Sequence, residues 1–164
     1  MSQPLWQPSP DRVARANLSA FLAQVRDEWG VDLEDYPALY RWSCAEMERF
    51  WLSVWRFSGV IAEERGGRVL ERTPEMPEAR FFPEARLNYA RNLLRRRGPE
   101  DAIVFWGENK VKWRLSWDAL HDRVARLTQV FTDLGVEEGD RVAAFMPNLP
   151  DAVVAMLAAS SLGA

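Results

Sequence analysis

The stretch from Gly135 to Ala164, GVEEGDRVAAFMPNLPDAVVAMLAASSLGA, constrains the fold of this chain more than any other. Glu137-Glu138-Gly139-Asp140 reads as a turn and Arg141 to Met146 as a short apolar strand. Pro147-Asn148 breaks that strand, and Pro150 opens a helix that ends near Gly163. Turn, strand, break and helix make half of an α/β unit. The helix is apolar on nearly every side, so it has no face to give to water. The expectation is an α/β domain that begins here and of which most is missing.

The preceding residues have the same grammar. Ala102 to Trp106 is an apolar strand, Gly107-Glu108-Asn109 a turn, and Val111 to Leu115 an alternating strand, together a hairpin. Ser116 caps a long helix that places Trp117, Leu120, Val124, Leu127, Phe131 and Leu134 on one face. Gly135 stands where a left-handed C-terminal glycine belongs. Strand, helix, strand, helix implies a parallel sheet with crossover helices.

Before Gly98 the chain is helical and aromatic-rich. Ser9-Pro10 starts a helix carrying Leu18, Phe21, Leu22, Val25 and Trp29 at helical spacing, and Gly30 ends it. Ser43 and Glu46 have the spacing of a capping box for a second helix, in which Met47, Phe50, Trp51, Val54 and Trp55 form an apolar stripe. That stripe reads as core packing rather than as a cofactor box. Val60 to Arg72 suggests a hairpin turning at Gly66-Gly67, and the prolines at 74, 77 and 83 an extended connector over Thr73 to Pro83. Leu87 to Arg97 reads as a short helix with Leu87, Ala90 and Leu94 inward and Arg95, Arg96 and Arg97 at its C-terminal end. The domain boundary is placed near Gly98, giving a region 1–98 and a region 99–164.

Composition excludes several classes of function. The formal net charge of −3 offers no general attraction to nucleic acid or anionic lipid. The apolar run Ala152 to Ala159 is too short to span a bilayer, and the start MSQPLWQPSPD lacks a secretory pattern. Cys44 is the only cysteine, which suits a reducing cytoplasm. Hydrophobic residues make up 48% of the chain, enough for a core.

Chemistry is absent by the same reading. Neither G-x-G-x-x-G nor G-x-x-x-x-G-K-[ST] occurs. His121 is the single histidine, on a helix but off its apolar stripe, and reads as a surface residue. Cys44 falls near a helix N-terminus, where a thiol can be activated, but with no His near it in sequence it reads as inert. The arginine triplet reads as a solvated helix end rather than a phosphate site. Asp32, Glu34 and Asp35, like Glu137, Glu138 and Asp140, fall in loops or turns, and nothing marks an acid/base pair among them.

Particular strings resemble a known family. Leu115-Ser-Trp-Asp-Ala-Leu120 is similar to the L-[TS]-[YW]-x-E-L signature that opens the adenylating domain of acyl-CoA synthetases, with Asp118-Ala119 where the family has a variable residue and Glu. Gly135-Val-x-x-Gly-Asp-Arg-Val142, Met146-Pro-Asn-x-Pro-Asp151 and Met156 to Ala164 resemble the family's next landmarks. Phe82-Pro-Glu-Ala-Arg-Leu-Asn-Tyr-Ala-Arg-Asn92 resembles the W-F-x-x-x-x-L-N-x-x-x-N string of the short-chain, acetyl-CoA synthetase branch. Pro4-Leu-Trp-Gln-Pro8, Trp42-Ser43, Phe50-Trp51 and Val54-Trp55 are most similar to that branch's acetoacetate-activating members.

The resemblance implies an α/β fold in which a helical N-terminal extension precedes the opening strands and helices of a truncated adenylate-forming large domain. It implies a ligase that turns acetoacetate, or a similar short acid, and ATP into an acyl-adenylate, which then passes to CoA, with Mg²⁺ offsetting phosphate charge. The family's phosphate loop, adenine-binding segment, hinge and catalytic lysine would lie beyond Ala164. No catalytic, cofactor-binding or metal-binding residue therefore transfers to this chain, which is expected to bind no cofactor and to be inactive alone. No nucleic-acid or membrane partner is expected, and self-association through the last helix is. The alternatives are a fragment of an acetate- or propionate-activating enzyme, and a non-catalytic binding or scaffold module built on the same opening.

Overall fold

A computed structural model describes residues 5–71, 78–108 and 110–164. Two compact units divide the chain, one formed by residues 1–60 and 65–85 and the other by 61–64 and 86–164.

The first unit is mainly helical. Helix α1 (Pro10–Ala14) begins as expected, the Ser9 hydroxyl accepting the Arg12 N–H, but it is only five residues long. Arg15 and Ala16 leave the helical conformation, and the Ser19 hydroxyl donates to the Val13 carbonyl 2.6 Å away, so α2 (Asn17–Trp29) starts anew. The single helix expected over this stretch is therefore two. Gly30, at φ +66°, ends α2 in the left-handed conformation that glycine adopts without steric cost.

The capping box expected at Ser43 and Glu46 is not formed. Asp35 is the cap instead: its carboxylate accepts the Ala38 N–H at 2.7 Å, Pro37 sits in the first turn, and α3 runs from Tyr36 to Ala45. Ser43 lies inside α3 and its hydroxyl donates back to the Tyr40 carbonyl. Helix α4 (Met47–Ser58) follows directly after Glu46. Phe21, Val25, Leu39 and Trp42 are buried together, with Phe50 and Val54 of the aromatic stripe packed on them. Phe21 meets Phe50 and Phe57 edge-on at 6.0 and 5.3 Å. One polar group is enclosed here. Ser53 is fully buried, accepts the Trp29 indole N–H at 2.8 Å and donates to the Arg49 carbonyl, so its burial leaves no hydroxyl unpaired.

The hairpin expected at Gly66-Gly67 does not form. Strand β1 (Leu70–Glu71) pairs antiparallel with β2 (Arg80–Phe81), and Glu64 bridges to Arg86. The glycines instead let the backbone approach Glu84, whose carboxylate accepts the Gly67 N–H at 2.7 Å, the Arg68 N–H at 3.2 Å and the Arg68 Nε–H at 3.2 Å. A Cβ on Gly66, itself at φ +76°, would lie 2.3 Å from Glu84 Cβ. The expected connector over Thr73 to Pro83 lies partly outside the described residues, and β2 occupies part of the rest.

In the second unit, β3 (Asp101–Trp106) and β4 (Lys112–Ser116) make the expected antiparallel hairpin. Ser116 caps α6 (Trp117–Asp133) by accepting the Ala119 N–H. Gly135, at φ +80°, and Val136 then donate to the Thr132 and Phe131 carbonyls, the paired bonds of a Schellman end. Leu134, expected on the inner face, is 75% exposed because it stands in that terminating turn. Helix α7 (Pro150–Leu162) packs on α6 through Leu120, Val124, Val154, Leu157 and Ala158, all buried. The helix expected over Leu87 to Arg97 shrinks to α5 (Tyr89–Leu93): Asn88 caps it, Ala90 is buried, and Leu87 is outside it and exposed.

The strand expected at Arg141 to Met146 does not form, and among the described residues no parallel sheet is present. Among the described residues no neighbouring strand supplies the hydrogen bonds that a strand needs, and these residues are exposed.

Two outcomes follow from this packing. Leu157, 2% exposed, has no polar route out of the α6–α7 contact, so Leu157→Ala should destabilise the second unit by about 2–5 kcal/mol, read as a lower denaturant midpoint. The N–H groups of Arg68 and Gly67 hold the Glu84 carboxyl below its ordinary range. Its contribution is therefore present above the ordinary unfolded-state carboxylate range and is lost as pH falls through the lower folded value. Glu84→Gln should abolish that acid-side component, so the gap in melting temperature between wild type and variant should narrow as pH is lowered.

Candidate functional site

Chemistry in an α/β unit gathers where strands end and helices begin, so the region around Arg141 to Leu162 is where a site would be built. The turn before it is tightly tied: Asp140 Oδ2 accepts the Glu137 N–H at 2.8 Å, and the Gly139 N–H donates to the Gly163 carbonyl at 3.0 Å. That second bond brings the start of the extended segment beside the end of α7. Gly163 suits this place for two reasons. Its φ is +80°, and a Cβ there would lie 3.0 Å from Glu138 Cγ.

Between the extended segment and α7 lies a groove of about 450 Å³, lined by Val142, Ala144, Met146, Ala152, Ala155, Met156, Ala159, Ser160 and Ala164. No lining side chain titrates, and Ser160 alone carries a hydroxyl. A groove of this kind can receive apolar side chains and pair with backbone, but it offers no acid, base or nucleophile matched to catalysis. Phe145 projects fully into solvent, and Val153 and Met156 are exposed on α7 at 37% and 45%.

The end of α7 is held from outside by one side chain. Asn88 Nδ2 donates to the Ser160 carbonyl at 2.8 Å and to the Ser161 carbonyl at 3.3 Å. Its Oδ1 accepts the Arg91 N–H at 2.9 Å and so caps α5. Asn92, one turn on, pairs with both backbone groups of Ile61: its Oδ1 accepts the N–H and its Nδ2 donates to the carbonyl, each at 2.8 Å. These two asparagines give a physical meaning to the string Leu87-Asn-Tyr-Ala-Arg-Asn92. The spacing of four puts both on one side of a short helix, one toward α7 and one toward residues 61–64. The sequence displayed the string, but only the tertiary structure displays the backbone groups that it reads.

The sequence candidates for chemistry remain scattered. His121 is half-buried rather than exposed, with Nε2 3.1 Å from the Arg96 carbonyl. Arg96 stacks its guanidinium 5.7 Å from the Trp117 ring centre, which gives that member of the triplet a packing partner. Cys44 is exposed in the last turn of α3, not at a helix N-terminus. Asp35 is a cap and Asp140 a turn bond. Among the described residues no three His, Cys, Asp or Glu side chains lie close enough to hold a metal ion.

Two families match successive stretches of the chain. Residues 36–93 match the family described as acetyl-coenzyme A synthetase N-terminus, and residues 91–164 match the family described as AMP-binding enzyme. An acetoacetyl-coenzyme A synthetase from Rhizobium meliloti is 45% identical over 99% of this chain, which spans 25% of that relative. A malonamoyl-CoA synthetase from Penicillium aethiopicum is 32% identical over 98% of this chain and 23% of its own length. The solved structure of an acetoacetyl-CoA synthetase from Streptomyces lividans superposes with a TM-score of 0.88 at 39% identity, over 99% of this chain and 26% of that one. The chain thus spans about a quarter of the length of the relatives that it matches. Along nearly its whole length the chain is similar to part of the acetoacetyl-CoA synthetases, and its residues 91–164 match the AMP-binding enzyme family.

Proposed function

We propose that this chain is the N-terminal part of an acid–CoA ligase whose acid is acetoacetate. The observation that supports this reading is the 45% identity, sustained over 99% of the chain, to an acetoacetyl-coenzyme A synthetase. In the complete ligase a carboxylate oxygen of the acid attacks the α-phosphorus of ATP and expels pyrophosphate. The CoA thiol then attacks the activated carbonyl carbon and expels AMP. A carboxylate is a poor electrophile, and the adenylate supplies the leaving group that it lacks. Mg²⁺ neutralises phosphate charge in such a reaction. The groove beside α7 has no titratable side chain in its lining, and among the described residues there is no metal-holding cluster. In this reading ATP, CoA and Mg²⁺ act in the complete ligase, and no residue of this chain is assigned to hold them.

The roles divide near Gly98 in this reading. The residues before it supply the N-terminal helical region, and those from Pro99 open the adenylating domain. Choice of acid is not made in this stretch. A relative named as a malonamoyl-CoA synthetase is 32% identical across it. Acetate and propionate remain the competing substrates. No helix among the described residues is long and apolar enough to cross a membrane. Together with a single cysteine and a net charge of −3, that fits a cytoplasmic enzyme with small-molecule substrates and neither nucleic acid nor membrane as partner.

One observation favours a second property for the chain on its own. Val153, Met156 and Phe145 expose apolar surface beside an unpaired backbone segment. Each such side chain gains on the order of 1.5–3 kcal/mol on full burial, so the chain is expected to self-associate through this face.

Purified 164-residue protein should show no acetoacetate-dependent exchange of pyrophosphate into ATP, whereas the complete ligase should; protein-dependent exchange from the short chain would overturn the first expectation. In sedimentation velocity the short chain should run larger than a monomer, and the double substitution Val153→Lys, Met156→Lys should return it to monomer. A monodisperse wild-type monomer that melts cooperatively would instead support a self-standing binding module.

A further inference from the structure

A helix leaves its last carbonyls without intrahelical donors, and the way they are satisfied sets the direction in which the chain departs. At the end of α7 the Gly163 and Ala164 N–H groups turn back to the Ser160 and Ala159 carbonyls, both at 3.2 Å. That turn provides no donor for the Ser161 carbonyl. Asn88, 73 residues earlier in the chain, supplies it and adds a second donor at Ser160.

The orientation of this amide is not free. Asn88 Oδ1 is engaged by the Arg91 N–H, so Nδ2 faces α7; reversing the amide would forfeit all three bonds. Ala90, 1% exposed in the same core cluster as Leu157 and Ala158, seats α5 beside α7 and keeps Asn88 within reach. One side chain thus couples the first turn of α5 to the last turn of α7, and the Gly139–Gly163 bond closes the same turn from its other side.

Resting on the ligase reading above, we propose that Asn88 is a positioning residue for adenylation: it sets the geometry with which the chain leaves α7, and thereby the placement of the downstream segments that hold ATP. It touches no substrate and acts through the α7 terminus.

The test uses the complete ligase that contains this chain. Asn88→Ser keeps an N-cap acceptor for α5 but cannot reach the α7 carbonyls. Ser116→Ala removes the α6 cap and serves as a matched loss of stability in the same unit. In pyrophosphate exchange, Asn88→Ser should lower kcat by about tenfold or more with KM for ATP changed less than about threefold, since small misplacement of reacting groups is costly. Ser116→Ala should stay within about twofold of wild type once assayed below its melting transition. Equal kcat losses in the two variants, or an unchanged kcat in Asn88→Ser, would show that Asn88 only stabilises the fold and would sink the proposal. If wild-type complete ligase gives no exchange with acetoacetate, acetate or propionate, the ligase reading fails first and the positioning role falls with it.

Discussion

Everything distinctive about the second unit follows from a helix that is apolar all round. One side of α7, with Val154, Leu157 and Ala158, is buried against α6, and the other still presents Val153 and Met156 to solvent. A helix with a polar face would be finished by a single contact. This one needs burial on both sides, which is the arrangement of a helix inside a layered α/β domain rather than on its surface. The adjacent segment from Arg141 to Met146 carries the same message in its backbone, whose donors and acceptors have no strand beside them among the described residues.

The two asparagines of α5 explain why a string resembling the acetyl-CoA synthetase type carries polar residues where hydrophobic ones would pack as well. Asn88 and Asn92 satisfy backbone groups that no secondary-structure ladder reaches, at the end of α7 and at Ile61. An amide is suited to this because it presents a donor and an acceptor on one short, rigid arm, so it can pair with a peptide group or bridge two helix ends. A half-buried polar network of this kind is costly when partly satisfied and specific when complete.

Where the sequence was legible, one local rule decided the outcome. Ser9, Ser116, Gly30, Gly135, Pro150 and Gly163 mark the helix ends as their side chains or their tolerance of positive φ dictate. Where it misled, two local rules competed. Ser43 with Glu46 has the spacing of a capping box, yet Asp35 followed by Tyr36-Pro37 is an equally good start and comes earlier; once α3 exists, Ser43 is interior to it. Gly66-Gly67 has the composition of a hairpin turn, but its neighbours pair with residues 80–86, and a carboxylate from that partner segment fills the space that the glycines leave. As for a site, the sequence showed no residue set with catalytic spacing; Cys44, expected near a helix N-terminus, lies in the last turn of α3, and His121, expected at the surface, is half-buried.

The sequence by itself determined the helix ends at Ser9, Gly30, Ser116, Gly135, Pro150 and Gly163, the β3–β4 hairpin, the apolar character of α7 and the family resemblance, because each is carried by residues close together in the chain. Only the tertiary structure decided which of the competing caps is used, what Glu84 and Asn88 bind, and that residues 141–146 have no pairing partner among the described residues. What Glu84 and Asn88 reach are backbone groups 16 to 73 residues away. A backbone N–H or carbonyl is the same in every residue, so no composition or spacing can announce which one a side chain will find.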